Sequence, residues 1–98
     1  MFDITNKNIL ITGATSGIGK AAALKLSLLG ANIFFVARNQ QKAQLLVDEI
    51  SEISDKEAVP IIADLSSQAD IRSVAQVFNS FNIPLHVLLN NAGLINKE

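Results

Sequence analysis

The chain has 98 residues, a length that accommodates one small domain. Hydrophobic residues make up 49% of it and charged residues 17%, a balance that excludes an intrinsically disordered chain. The net charge of −1 argues against a nucleic-acid or membrane-surface role, and the lack of cysteine excludes disulfide scaffolds and thiolate zinc sites. No apolar stretch approaches the roughly 20 residues that span a bilayer, and the start lacks the blocks of a signal peptide. We therefore expect a cytoplasmic globular protein without a metal site.

Short apolar runs alternate with amphipathic stretches along the whole chain. Strands are predicted at residues 8–12, 32–37, 58–63 and 85–90, and helices at 17–29, at 40–53 and after 66–70. The first helix is expected to bury a broad apolar face made of Ile18, Ala21, Ala22, Leu24, Leu28 and Leu29. Pro60 directs the third strand to a sheet edge or a bulge, because proline cannot donate to a ladder.

The order βαβαβαβ predicts an α/β fold with a doubly wound parallel sheet, a partial Rossmann-type domain over residues 1–98. The expected strand order is 3-2-1-4, with helices on both faces. In such a sheet ligands bind beyond the carboxyl ends of the strands, where the strand order reverses. Four short motifs lie at these ends: Thr12-Gly13, Arg38-Asn39, Asp64-Leu65 and Asn90-Asn91-Ala92-Gly93.

A glycine-rich turn at residues 12–19 separates the first strand from the first helix. Its sequence is Thr12-Gly13-Ala14-Thr15-Ser16-Gly17-Ile18-Gly19. A strand, a tight turn and a helix N-terminus in this order favour phosphate binding, because free backbone N–H groups and the helix dipole both attract an anion. The three glycines are suited to the turn itself, to close approach of a phosphate and to packing of the helix on the strand.

These motifs together resemble the short-chain dehydrogenase/reductase family over the entire chain. The turn matches the family's Thr-Gly-x-x-x-Gly-x-Gly motif, Asn90 to Gly93 match its Asn-Asn-Ala-Gly hallmark, and Asp64-Leu65 match its adenine-contacting pair. Within the family, the sequences around residues 37–43 and 85–89 look most like the retinol-dehydrogenase-like branch.

The resemblance implies a cofactor site made of these motifs. It places Gly13, Gly17 and Gly19 around the pyrophosphate, with Ser16 and Ile18 hydrogen-bonding to the cofactor. Asn90 would tie strands together, while Ala92 and Gly93 let the cofactor ribose pass close to the backbone. The cofactor-binding set implied is Thr12, Gly13, Ser16, Gly17, Ile18, Gly19, Arg38, Asn39, Asp64, Leu65, Asn90, Ala92 and Gly93.

Arg38 indicates the preferred cofactor. NAD-binding folds generally carry an acidic residue at the end of strand two, which accepts from the ribose 2′-hydroxyl. Ala37 holds that place here and cannot accept, whereas the next residue is a cation. A guanidinium matches a 2′-phosphate in charge and planar geometry, so NADP(H) is predicted over NAD(H). The alternative is that Arg38 is a solvated loop cation.

Several other residues have two interpretations. Thr12 either braces the turn through its hydroxyl or is simply the last strand residue. Asp64 either accepts from the adenine amino group or caps the following helix together with Ser66. His86 is interpreted as a sheet histidine within strand four rather than as a catalytic group, and Lys20 as part of the solvated side of helix one.

The residues that carry out catalysis in the family have no counterpart in this sequence. The family uses a Tyr, a Lys four residues later, a Ser and an Asn, all beyond the Asn-Asn-Ala-Gly motif. This chain continues for five residues after Gly93 and contains no tyrosine, so no catalytic residue is assigned.

Three functions are therefore compatible with the sequence. The chain is the cofactor-binding part of an NADP(H)-dependent oxidoreductase of alcohols and carbonyls, an inactive nucleotide-binding module, or a truncated fragment without function. A small-molecule substrate is expected only where a C-terminal half is present. Strand four would form an exposed apolar edge, which predicts self-association.

Overall fold

A computed structural model describes residues 3–15 and 17–90 of the chain. The elements follow in the order β1 (Asn8–Thr12), α1 (Gly17–Leu28), β2 (Asn32–Ala37), α2 (Gln40–Ile53), β3 (Val59–Ile62), α3 (Gln68–Ser80) and β4 (Val87–Asn90). The four strands form one parallel sheet in the order β3-β2-β1-β4. The predicted fold class and strand order are confirmed.

The register of the sheet brings the carboxyl ends of the strands to one edge. Asn8 pairs with Asn32 and Thr12 with Val36, while Thr12 also pairs with Asn90 on the other side. Strand order reverses between β1 and β4, so the turn after β1 lies where such folds bind ligands.

Alternate residues of the central strands pack on opposite faces of the sheet, as the period of two requires. One face packs on α1 and α2, with a buried cluster of Ile9, Ile11, Ala14, Ala23, Ala31, Ile33, Phe35, Ala37, Ala43, Leu46, Ile50 and Ala58. The other face packs on α3, with a buried cluster of Leu10, Phe34, Val36, Ile61, Val74 and Phe78. Helices therefore cover both faces, which explains why residues 9–11 of β1 and 33–37 of β2 are all apolar.

The predicted apolar face of α1 is confirmed at Leu24, which is partly buried against the core, and is wrong at Ile18 and Leu28. Ile18 is 78% exposed and Leu28 is 62% exposed, and the buried residues of the helix are Gly19, Ala23 and Ser27. These small residues recur every four positions, so they form the stripe along which the helix backbone approaches the sheet closely. The Ser27 hydroxyl is satisfied in this stripe because it donates to the Ala23 carbonyl oxygen at 2.8 Å.

The end of α1 depends on Gly30, whose φ of 94° is unfavourable for other residues. The Gly30 N–H donates to the Ser27 carbonyl, and the Ala31 N–H donates to the Leu26 carbonyl. This pair of bonds is the Schellman arrangement, and it turns the chain directly into β2. Lys20, predicted to be solvated, is partly exposed and forms an ion pair of 3.1 Å with Glu49 of α2.

Pro60 lies in β3, the edge strand next to β2, and is paired in register with Phe35. The Ala63 N–H donates to the Ala37 carbonyl of β2. Because alternate residues of a strand point the same way, the ring nitrogen of Pro60 faces away from β2. The predicted edge position is thus confirmed, and no ladder hydrogen bond is lost.

Candidate functional site

The candidate site lies at the carboxyl edge of the sheet and starts with the turn after β1. Gly13 and Gly17 both have positive φ, 66° and 59°, which is a backbone conformation that suits glycine. A Cβ added to Gly17 would meet nothing within 4 Å, so the space beside it is open. Glycine is favoured there because of its backbone conformation and not because of a steric clash. Gly19, by contrast, is buried where α1 packs on the sheet. Gly13 and Gly17 thus serve the turn and Gly19 the packing of the helix, while the close approach of a phosphate stays a prediction.

The start of α1 suits an anion. Its first turn contains no acidic side chain, and Ile18 lies exposed beside Gly17. Unpaired N–H groups at the start of a helix and the positive end of its dipole attract a phosphate. Ser16, the other predicted hydrogen-bonding residue of the turn, lies outside the described residues.

Thr12 is the last residue of β1 and is buried. Its hydroxyl donates to Oδ1 of Asn90 at 3.0 Å, and its oxygen lies 3.5 Å from the Leu89 carbonyl oxygen. The side chains of Thr12 and Asn90 therefore join β1 to β4 at the reversal of strand order. The strand-joining role implied for Asn90 is present, and Ala92 and Gly93 lie outside the described residues.

The turn after β2 carries an exposed cation. Arg38 follows directly after the buried Ala37, and its side chain is exposed. Asn39 has a definite structural role that the sequence analysis missed: its side chain accepts from the Lys42 N–H at 3.0 Å as the N-cap of α2. The signal was available, because asparagine immediately before a helical period is a preferred N-cap.

The turn after β3 is held by a set of hydrogen bonds. Oδ1 of Asp64 accepts from the Ser66 N–H at 3.0 Å, and the Asp64 carbonyl accepts from the Ser67 N–H at 3.1 Å. The N-cap of α3 is Ser67, whose hydroxyl accepts from the Asp70 N–H. The suggestion that Asp64 or Ser66 caps α3 is therefore wrong, because the helix begins at Gln68.

The charge state of Asp64 follows from these contacts. The hydrogen bonds from Ser66 lower the pKa of the Asp64 carboxyl, and the nearby Arg38 guanidinium lowers it further. Arg38 and Asp64 follow the neighbouring parallel strands β2 and β3, so the turns that carry them lie at the same edge of the sheet. The Asp64 carboxylate and the Arg38 guanidinium at this edge suit a ligand that carries both a hydrogen-bond donor and a phosphate.

Leu65 is half-buried against the α3 face of the sheet and lines a groove between α3 and β4. We call this the α3–β4 groove; its volume is about 550 Å³, and it is lined by Leu10, Thr12, Leu65, Ile71, Val74, Ala75, Phe78, Asn79, Ile83, Leu85, Leu88 and Asn90. The lining is mostly apolar, so the groove suits an apolar side chain or molecule better than a charged one.

His86 lies at the opposite end of the sheet, immediately before β4. The ring Nδ1 of His86 accepts from the backbone N–H of Asn8 at 2.9 Å, and the backbone N–H of His86 donates to the Asn8 carbonyl at 3.0 Å. His86 is therefore held against the start of β1 by two hydrogen bonds, but its predicted position within strand four is wrong, because β4 begins one residue later, at Val87. Across residues 3–15 and 17–90, no group of three or more His, Cys, Asp or Glu side chains could hold a metal ion, and no helix is long and apolar enough to cross a membrane.

The sequence and the fold of this chain are similar to those of known dehydrogenases and reductases. The chain is 39% identical over 87 residues to human polyprenol dehydrogenase, covering 88% of this chain and 26% of that protein. It aligns with the RhlG/NADP complex of Pseudomonas aeruginosa at a TM-score of 0.83 and 32% identity, covering 92% of this chain and 36% of that one. It also aligns with an NADH-dependent reductase complexed with NAD at a TM-score of 0.79 and 29% identity, covering 90% and 36%.

The chain spans about a quarter to a third of the length of the curated relatives it matches, 31% and 26% for two of them. The family model of the short chain dehydrogenases matches residues 7–98, nearly the whole sequence. This chain belongs to the short-chain dehydrogenase family, and its matched part is the dinucleotide-binding portion of an oxidoreductase fold.

Proposed function

We propose that the chain is the NADP(H)-binding portion of an oxidoreductase acting on alcohols and carbonyls, with residues 1–98 as the N-terminal part of its dinucleotide-binding domain. The observation that carries the cofactor choice is Arg38, an exposed guanidinium directly after β2, where Ala37 occupies the place of a ribose-binding carboxylate. The pyrophosphate would lie on Gly13, Ser16, Gly17 and Ile18 at the start of α1. When bound, the nicotinamide ring gives or takes the hydride.

The adenosine end of the cofactor would lie between the turns after β2 and β3. Arg38 would bind the 2′-phosphate with paired N–H donors, and the Asp64 carboxylate would accept from the adenine amino group. The lowered pKa of Asp64 is consistent with this assignment, because an ionised carboxylate offers only acceptors, which match the amino N–H groups of adenine. Leu65, Asn90, Ala92 and Gly93 complete the proposed site beside the base and the second ribose.

The test compares NADPH and NADH binding to the wild-type chain and to Arg38→Ala. Loss of a charge-assisted contact should weaken NADPH binding about 10- to 100-fold. NADH lacks the 2′-phosphate, so its affinity should change less than about threefold. Lys42→Ala is the matched control, because it removes an exposed cation one turn away without altering the end of β2. Equal losses for both cofactors in Arg38→Ala would refute the assignment.

A lipid-like alcohol or carbonyl is the substrate class we propose for the whole enzyme. The similarity to polyprenol dehydrogenase and the resemblance to the retinol-dehydrogenase-like branch support it. An activity screen with NADPH should then favour long-chain aldehydes over short polar ones of the same reactivity. The reverse order would exclude this substrate class.

An inactive nucleotide-binding module is the second candidate. It rests on the same residues as the first candidate, because the glycine-rich turn, Arg38 and Asp64 would bind a dinucleotide whether or not a reaction follows. NADPH binding without turnover of any carbonyl in the same screen would support the module. If the chain neither binds NADPH nor turns over a carbonyl, the third interpretation, a fragment without function, holds.

Self-association through β4 is also part of the proposal. β4 is an edge strand among the described strands, and Leu88 on it is 55% exposed. Light scattering should therefore show concentration-dependent dimers that Leu88→Lys abolishes. We further propose a cytoplasmic location, which fractionation of cells that produce the tagged chain would test.

A further inference from the structure

Asp70 makes an unusual contact across the turn after β3. It lies in the first turn of α3, and its Oδ2 accepts from the backbone N–H of Asp64 at 2.7 Å. In the usual capping box, the third residue of a helix reaches back to the N–H of the N-cap residue. Here the N-cap is Ser67, and its N–H is already bonded to the Asp64 carbonyl. Asp70 reaches three residues further, to the residue that we assign to the adenine base.

With this contact, the N–H, the carbonyl and the carboxylate of Asp64 are all hydrogen-bonded. The N–H of Asp64 donates to Asp70, its carbonyl accepts from Ser67, and its carboxylate accepts from Ser66. All three partners belong to α3 or to the residues that lead into it. The bond to Asp70 is the shortest of the three, at 2.7 Å, and its acceptor is a carboxylate, so its loss frees the backbone N–H of Asp64.

We propose that Asp70 is a positioning residue for base recognition: it orients Asp64 so that the cofactor site prefers adenine over a base that lacks the 6-amino group. This inference rests on the proposed function, since it presumes that Asp64 accepts from the adenine amino group. Asp70 itself touches no cofactor. Its effect is carried by the backbone of Asp64, whose orientation determines where the carboxylate oxygens lie.

The experiment measures the ratio of two affinities on the full chain. The probes are NADPH and its hypoxanthine counterpart, which has a carbonyl in place of the 6-amino group. An ionised acceptor should favour the amino group over the carbonyl by about tenfold in the wild type. Asp70→Ala should reduce the ratio to within about twofold of unity. A general loss of α3 stability would weaken both ligands alike and leave the ratio unchanged.

Two further variants separate positioning from folding. Asp70→Asn keeps an oxygen that can accept from the Asp64 N–H, so its ratio should return to within about twofold of wild type. Ser67→Ala removes the N-cap hydroxyl but not the contact between Asp70 and Asp64, so its ratio should match wild type. Should Asp70→Ala not fold, Asp70→Ser replaces it, because serine is tolerated in a first turn and is too short to reach Asp64.

The outcomes distinguish the two proposals. A wild type without preference for adenine would refute the contact between Asp64 and the base, and with it the adenine part of the proposed function. A wild-type preference that survives in folded Asp70→Ala or Asp70→Ser would refute the role of Asp70 alone. A low ratio in Asp70→Asn or in Ser67→Ala would also count against it, since neither change removes the acceptor.

Discussion

Replacing Phe78 by alanine should cost this chain much of its stability. Phe78 is 5% exposed, and its ring contacts Phe34 of β2 and Phe81, the C-cap residue of α3. Its ring lies 5.2 Å from that of Phe34 at 82°, and 5.9 Å from that of Phe81 at 74°. Both contacts are edge-on, the arrangement that aromatic rings favour.

The expected loss is about 3 kcal/mol. Truncation of a buried phenylalanine to alanine costs about 3–5 kcal/mol in closed cores, and this figure includes its ring contacts. Phe78 also lines the α3–β4 groove. Water can therefore enter the space left by the ring, which reduces the cavity contribution and favours the lower end of the range. A domain of this size has about 5–15 kcal/mol of stability in all, so the variant should unfold at much lower denaturant.

The assay is urea unfolding of the wild type and Phe78→Ala, followed by circular dichroism. Val77→Ala is the matched control, because Val77 lies on the same helix and is 37% exposed. Its free energy of unfolding should stay within about 0.5 kcal/mol of wild type. A loss below about 1 kcal/mol for Phe78→Ala, with an unchanged denaturant slope, would refute the argument that the ring cluster holds α3 on the sheet.

The remaining predictions concern two polar contacts at opposite ends of the sheet. Asn8→Ala should lower the free energy of unfolding by about 2 kcal/mol, since the side chain donates to the Pro84 carbonyl at 2.8 Å and accepts from Asn32 at 2.9 Å. Urea unfolding checks it, and a loss below about 0.5 kcal/mol would contradict it. Asp64 has a lowered folded-state pKa, so its ionised form stabilises the chain above about pH 4 and this contribution disappears as pH falls through the folded-state pKa. The stability of wild type relative to Asp64→Asn should therefore decline below about pH 4, and a difference independent of pH would be inconsistent with it.

The repeating pattern of the chain is strong enough to predict its architecture. Strand β2 is apolar at every position from Ile33 to Val36, which is the pattern of a strand covered on both faces, and helix α2 has its predicted bounds. The predicted β3 and β4 are longer than the observed ones, because β3 pairs with β2 only from Val59 to Ile62 and β4 pairs with β1 only from Val87 to Asn90. Such limits depend on the partner strand and cannot be derived from one segment.

The packing of α1 could not be predicted because hydrophobicity is a poor guide to a helix that approaches a sheet closely. Leucines and Ile18 dominate its apolar pattern, yet the residues that are fully buried are Gly19, Ala23 and Ser27. Leu24 and Leu26 pack against the core but are only partly buried. The contact between Asp70 and Asp64 was equally hidden, because the local capping rules connect Asp70 to Ser67 instead. The motif residues, in contrast, could be placed at one edge because parallel strands align their carboxyl ends.

Pro60 has a consequence for how copies of this chain can assemble. Its ring removes an N–H donor from the outer side of β3, so that edge offers a poor template for another strand. Among the described strands, β4 is then the one edge at which the sheet can grow. A twofold pairing of β4 with β4 uses that edge in both copies and leaves a Pro60 edge at each end. Association of this kind closes at two chains and does not propagate into a fibre.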